Sequence, residues 1–99
     1  MIEERRASKR NVFHSPVRYQ LKGSQKFNDT IGSDISNSGI GFISEEFIPC
    51  ASQVILEFDA HRHNRVKVLG EIRRAVNQPF SEKFYIGAKF IGQPMPLEV

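Results

Sequence analysis

The sequence predicts an all-β fold, a small six-stranded antiparallel barrel. Three observations carry this. Apolar and polar residues alternate with a period of two in short runs, separated by clusters of Gly, Pro, Asn and Ser. No stretch of ten or more residues keeps a helical period. The eight Phe, with no Trp, are spread over these runs, as a sheet core uses them. Closing such a sheet into a barrel removes the unpaired edges that short strands otherwise expose.

Residues 1–11 are polar and charged without periodicity and read as a flexible leader. The barrel is expected over residues 12–92. Val17, Tyr19 and Leu21 alternate with Arg18, Gln20 and Lys22 in the first strand, and Pro16 confines its start to an edge or a bulge. After the turn Lys22-Gly23-Ser24-Gln25, Phe27 to Ile35 forms a second strand. Its alternation is imperfect, because Asp29 shares a face with Phe27 and Ile31. Ser36-Asn37-Ser38-Gly39 is a turn in which Gly39 is free to take a positive φ, and Ile40 to Ser44 is the third strand. Glu45 to Ser52 is irregular and carries Pro49. Val54, Leu56 and Phe58 define the fourth strand, and Val66, Val68, Gly70 and Ile72 the fifth, which continues to about Val76. Phe84, Ile86, Ala88 and Phe90 share a face of the sixth. Gly70 and Gly87, inside strands, mark bulges or sharp bends. Residues 93–99 are a short, proline-broken tail expected to add no element.

At 99 residues the chain is one domain with one modest core. Apolar residues at 39% and charged residues at 25% exclude a mainly disordered chain. The net charge of +3 hides an asymmetry: residues 1–26 hold seven Lys/Arg against two Glu, while residues 27–99 hold seven against nine acids. Positive potential is concentrated at the start of the chain, which favours an anionic partner there. The single Cys50 excludes an intrachain disulfide and, beside Pro49, is expected as a semi-buried structural residue. There is no apolar signal region and no run of membrane-spanning length, so the expectation is a cytoplasmic protein without membrane insertion.

Two polar motifs stand out. Arg5-Arg6-Ala7-Ser8-Lys9-Arg10 places guanidinium groups on the leader, with Arg6 and Arg10 about 13 Å apart at full stretch, so a bend brings both onto one small dianion. Each guanidinium is a planar fork that fits a phosphate or the O6 and N7 acceptors of guanine. By itself the cluster more often means a solvated basic leader or a weak polyanion patch. Asp34-Ile35-Ser36 puts a carboxylate and a hydroxyl at i and i+2, on one face of an extended segment. A carboxylate accepts from the N1–H and N2–H2 donors of guanine, and Gly39 lets a ligand approach the backbone. By itself this is more often ordinary turn chemistry.

Other polar residues are less informative. His61 and His63 flank Arg62 without metal-ligand spacing around them and read as an exposed turn. Glu45-Glu46 reads as a solvated pair, and of Arg73-Arg74 one side chain must face out of a regular strand. No nucleophile–base pair, metal set or phosphate-cradling glycine loop appears, which argues against an enzyme.

Taken together, Arg6-x-x-x-Arg10 followed by Asp34-x-Ser36-x-x-Gly39 resembles the paired signature of the PilZ domain, the receptor module for cyclic di-GMP. Val68-Leu69-Gly70-Glu71-Ile72-Arg73 and Tyr85-Ile86-Gly87-Ala88-Lys89-Phe90 resemble the family's later strands, so the likeness covers about residues 4–92. It implies a PilZ-type barrel with the dinucleotide on its outer surface and no resident cofactor. Arg6 and Arg10 would contact phosphates and guanine faces or Hoogsteen edges, Asp34 and Ser36 would bind a guanine edge, and Gly39 would keep the turn open. Arg5 stands where a basic residue in this family accompanies two intercalated ligand copies. Many members continue into a C-terminal helix, which is expected here to be short or absent. The implied role is a cytoplasmic bacterial receptor whose leader closes over cyclic di-GMP and so alters contacts with a downstream protein not yet identified. A PilZ-fold interaction adaptor without ligand binding is the alternative. A small barrel binding single-stranded nucleic acid through the basic leader is less favoured.

Overall fold

The computed structural model describes residues 11–59 and 65–96, with side chains described from Ser15 onward. The strands are β1 (Asn11–Leu21), β2 (Asn28–Ile35), β3 (Gly39–Ser44), β4 (Gln53–Asp59), β5 (Arg65–Asn77), β6 (Phe84–Phe90) and the two-residue β7 (Met95–Pro96). The first six follow the period-two runs closely. No helix occurs among the described residues.

All strand pairs are antiparallel. The sheet runs β4-β1-β2-β3-β6-β5, and pairing of β4 with β5 closes it into a six-stranded barrel. The 13-residue β5 makes closure possible because its two halves serve different partners. Residues 65–71 pair with β4, and residues 70–77 pair with β6. Met95 and Pro96 add a short pairing onto Lys67 and Val66, where no element was expected. An isolated Pro is tolerated there because β7 is an outermost strand with no ladder beyond it.

The core is built from inward positions of facing strands. Val17, Tyr19, Ile40, Phe42, Val54, Leu56, Phe58, Val66, Val68, Ile72, Ile86 and Ala88 are all buried, with Leu21, Phe84 and Phe90 partly buried against them. Tyr19 keeps its phenol inside by hydrogen bonding to Ser44 Oγ at 3.1 Å, and Ser44 Oγ in turn donates to the Glu46 carbonyl. That chain satisfies the one buried polar residue of the barrel interior among those described. Ile48, from the segment read as irregular, is also buried, as a member of the core cluster. Next to it, the Ala51 N–H donates to the Ile72 carbonyl at 2.7 Å and the Ile72 N–H to the Ser52 carbonyl at 2.8 Å, which ties the loop to β5.

β2 explains its own imperfect pattern. Phe27, Asp29 and Ile31 do share a face, but it is the outer one: Phe27 and Ile31 are about half exposed. Arg18 lies over the Phe27 ring at 5.4 Å and bonds Asp29 at 3.1 Å, covering that face from β1. Gly23 carries the positive φ (94°) of the β1–β2 turn. Cys50 is exposed rather than semi-buried: Ile48 is the residue this loop buries, and Pro49 and Cys50 beyond it lie at the surface. Glu45 and Glu46 are exposed, as a solvated pair should be. His61, Arg62 and His63 lie outside the described residues.

Candidate functional site: an outer trough around Asp34

The site lies on the outer face of β2, β3 and β6, and two irregularities position it. β2 carries an extra residue, Ser33, between the pairs Gly32↔Phe42 and Asp34↔Gly41. This bulge shifts the register by one, so that Asp34 points outward while Ile35 packs against the core beside Ile40. β5 carries a second bulge between Ile72↔Ala88 and Arg74↔Gly87. A regular strand turns only one of Arg73 and Arg74 outward; the extra residue leaves both exposed. Gly87, not Gly70, sits at that bulge. Gly70 lies on the inner face, where a Cβ would press on Leu56 Cδ1 at 3.0 Å.

Asp34, Ser36, Ser38 and Gly39 line one wall and the end of a trough of about 250 Å³, with Arg73, Tyr85, Gly87 and Lys89 opposite. A second hollow, of about 430 Å³, shares Asp34 and Tyr85 and extends past Arg74, Val76 and Pro79. The two meet at the Asp34–Tyr85 pair. Three cationic side chains and one carboxylate therefore line these hollows together with serines, glycines and a few apolar residues, a surface suited to a flat anionic ligand with hydrogen-bond donors. Arg73 is held only loosely by Glu71, at 3.7 Å, and its side chain is about half exposed. Such a contact yields readily to a phosphate.

The turn itself is tight. The Ser36 N–H donates to the Gly39 carbonyl at 2.9 Å, Ser36 Oγ accepts from the Ser38 N–H at 3.3 Å, and the Phe90 N–H donates to the Ser38 carbonyl at 2.8 Å. Gly39 does not adopt a positive φ; among the described glycines only Gly23 does. Glycine is required there for another reason: a Cβ would run into the Ala88 carbonyl oxygen of β6, backbone that cannot move aside. The sequence motif thus marks a close approach of strands, and the trough end is open because no side chain fills it.

Asp34, Ser36 and Gly39 are brought together on this trough. Arg5, Arg6 and Arg10 lie outside the described residues. Their point of attachment is fixed by register: Asn11 pairs with Ile35 and Val12 with Asp34. Arg10 is one peptide unit from Asn11, and Arg6 at most about 18 Å from it along a fully extended chain. The leader therefore joins the barrel directly beside the acidic turn.

A sequence model of the PilZ domain matches residues 4–98. The chain belongs to the PilZ domain family. Solved structures agree on the fold. The inhibitor of motility MotI/DgrA of Bacillus subtilis superposes with a TM-score of 0.72 at 19% identity, over 89% of this chain and 43% of that one. MrkH from K. pneumonia, in complex with cyclic di-GMP, gives 0.65 at 17% identity, over 89% and 45%. The PilZ domain of YcgR from Escherichia coli, with cyclic di-GMP, gives 0.61 at 14% identity, over 89% and 79%. This PilZ domain spans less than half the length of the first two proteins. No curated protein sequence matches it.

The trough residues that escaped the sequence reading as site residues include Ser38, Arg73, Arg74, Tyr85 and Lys89. Tyr85 was legible only as an outward residue, since Phe84 and Ile86 face in. Its position over the site depends on β3 lying between β2 and β6, which no local pattern states.

Proposed function

We propose that this PilZ domain is a noncatalytic receptor for cyclic di-GMP, which it holds in the trough beside β2, β3 and β6. The register that joins the leader to the barrel next to Asp34 carries the reading, because it gives Arg6 and Arg10 a short path to a ligand seated there. Asp34 and Ser36 take a guanine edge, the leader arginines grip phosphate and the Hoogsteen edge, and Arg73 and Lys89 add positive charge from the opposite wall. Gly39 leaves the trough end open. Arg5, the basic residue before the first motif, would stack on a second ligand copy. The complexes of MrkH and of the YcgR PilZ domain with the same dinucleotide support the choice of ligand. Closure of the residues before Asn11 over the dinucleotide alters the surface offered to a downstream protein, which is the output of a receptor without chemistry of its own. Among the described residues no helix is long and apolar enough to cross a membrane, and the receptor is proposed to act in the cytoplasm.

Calorimetric titration tests this. Micromolar or tighter binding is expected, selective over GTP and cyclic di-AMP, with the copy number read from the same curve. Arg10→Ala is expected to weaken it at least tenfold, since a charge-assisted hydrogen bond contributes roughly 1.5–3 kcal/mol and about 1.4 kcal/mol is a factor of ten. No heat at high protein concentration would leave the adaptor reading instead. A steep salt dependence without preference for the cyclic dinucleotide would point to nucleic acid.

A further inference from the structure

Tyr85 makes the contact in the trough that the binding reading does not use. It stands on β6, two strands from Asp34 on β2, with β3 between them. Its direct cross-strand partner on β3 is Ile43. Its ring instead leans diagonally over Gly41, the residue that pairs with both Asp34 and Gly87. From there the phenol O–H donates to the Asp34 carboxylate, 3.1 Å from Oδ2 and 3.4 Å from Oδ1. Glycine at position 41 is what permits this. A Cβ there would lie 2.7 Å from Tyr85 Cζ and 2.9 Å from Asp34 Oδ1, and would fall on the phenol oxygen itself. Any side chain at 41 therefore separates the pair.

The chemistry of that contact bears on selectivity. The terminal torsion of an aspartate is broad, so an unsupported carboxylate turns its lone pairs in many directions. Guanine presents N1–H and N2–H2 side by side, and both are accepted together only when the carboxylate lies in the plane of the base. The phenol reaches both carboxylate oxygens, at 3.1 and 3.4 Å, and so holds the plane in which they lie; an ionised carboxylate has about four acceptor positions, more than this one donor takes. Adenine offers its N6–H2 donor only beside a ring-nitrogen acceptor, so orienting the carboxylate for two adjacent donors favours guanine over it. We propose that Tyr85, seated over Gly41, is a positioning residue that sets the guanine selectivity of the trough by fixing the plane of the Asp34 carboxylate. This rests on the cyclic di-GMP reading above.

The test is calorimetry of the full chain with cyclic di-GMP and cyclic di-AMP, on the wild type and on Tyr85→Phe, Gly41→Ala, Asp34→Asn and Tyr85→Phe/Asp34→Asn. Tyr85→Phe keeps the ring, so its melting temperature is expected within a few degrees of wild type. Its affinity for cyclic di-GMP is expected to fall about five- to tenfold while weak binding of cyclic di-AMP is unchanged. Gly41→Ala is expected to lower the selectivity ratio in the same direction. In the Asp34→Asn background the second change is expected to add nothing, because it acts through that carboxylate. A Tyr85→Phe variant with unaltered selectivity, or one that loses both dinucleotides equally, overturns the proposal. So does an additive double variant. A wild-type chain that binds neither dinucleotide overturns the receptor reading itself, an outcome distinct from all of these.

Discussion

Asp34→Ala is expected to weaken cyclic di-GMP binding at least tenfold and to abolish most of the preference for guanine over adenine. Asp34 reaches the outer face only because Ser33 bulges from β2, and it stands where the two hollows of the trough meet. A carboxylate accepting two guanine donors makes two charge-assisted hydrogen bonds, each worth roughly 1.5–3 kcal/mol. Losing even half of one such pair exceeds the 1.4 kcal/mol or so that a tenfold change requires. Arginine contacts to phosphate survive the substitution and do not distinguish the bases. Residual binding should therefore be weak, salt-sensitive and nearly blind to the nucleobase. Titrations with cyclic di-GMP and cyclic di-AMP at two salt concentrations check this. Retained selectivity would show that guanine is read elsewhere.

Phe42→Ala is expected to have the largest effect on stability, a loss of about 3–5 kcal/mol. Phe42 is fully buried in the middle of β3, opposite Gly32 on one side and Ile86 on the other. Its ring packs on Tyr19 with centroids 4.8 Å apart, so truncation empties the centre of the barrel and removes an aromatic contact at once. For a domain of this length each kcal/mol moves the melting temperature by about 4–8 °C, and total stability is typically about 5–15 kcal/mol. A drop on the order of 12 °C or more follows, with an unchanged dependence on urea if unfolding stays two-state. Phe80→Ala is the matched control. Phe80 is fully exposed on the β5–β6 connection, and its loss is expected to shift stability by no more than about 0.5 kcal/mol. Equal effects of the two substitutions would contradict the placement of the core.

Period-two alternation made the barrel legible, because it reports which residues face inward whatever the sheet order. Val54, Leu56 and Phe58 are the clearest instance, buried in strict alternation along β4. The pattern failed where the outer face is also apolar, as at Phe27 and Ile31, and where a strand gains a residue, as at Arg73. Gly87 marked the place of one bulge, but nothing in the sequence marked the extra residues at Ser33 and Arg73, which the partner strands set. Ile48 was missed for a related reason: a loop contributes one buried residue without a period. Asp34, Ser36 and Gly39 were legible as a motif, yet the reason for Gly39 was not, since its obstacle is the Ala88 carbonyl 49 positions further on. Tyr85 needed the same long-range information. Its value to the site comes from Gly41 and Asp34 on two other strands.

The trough is not the only concavity of the barrel. A hollow of about 330 Å³ lies by Lys26, Phe27, Asp29, Glu45, Glu46 and Lys83, and offers a rival seat for a ligand. Amide chemical shifts of the labelled full chain, recorded as cyclic di-GMP is added, separate the two. The expected result is perturbation concentrated at Asp34, Ser36, Ser38, Gly39, Arg73, Tyr85 and Lys89, with Lys26, Glu46 and Lys83 left in place. Shifts gathered around Lys26 and Lys83, with the 34–39 turn silent, would contradict the assignment of the dinucleotide to the acidic turn.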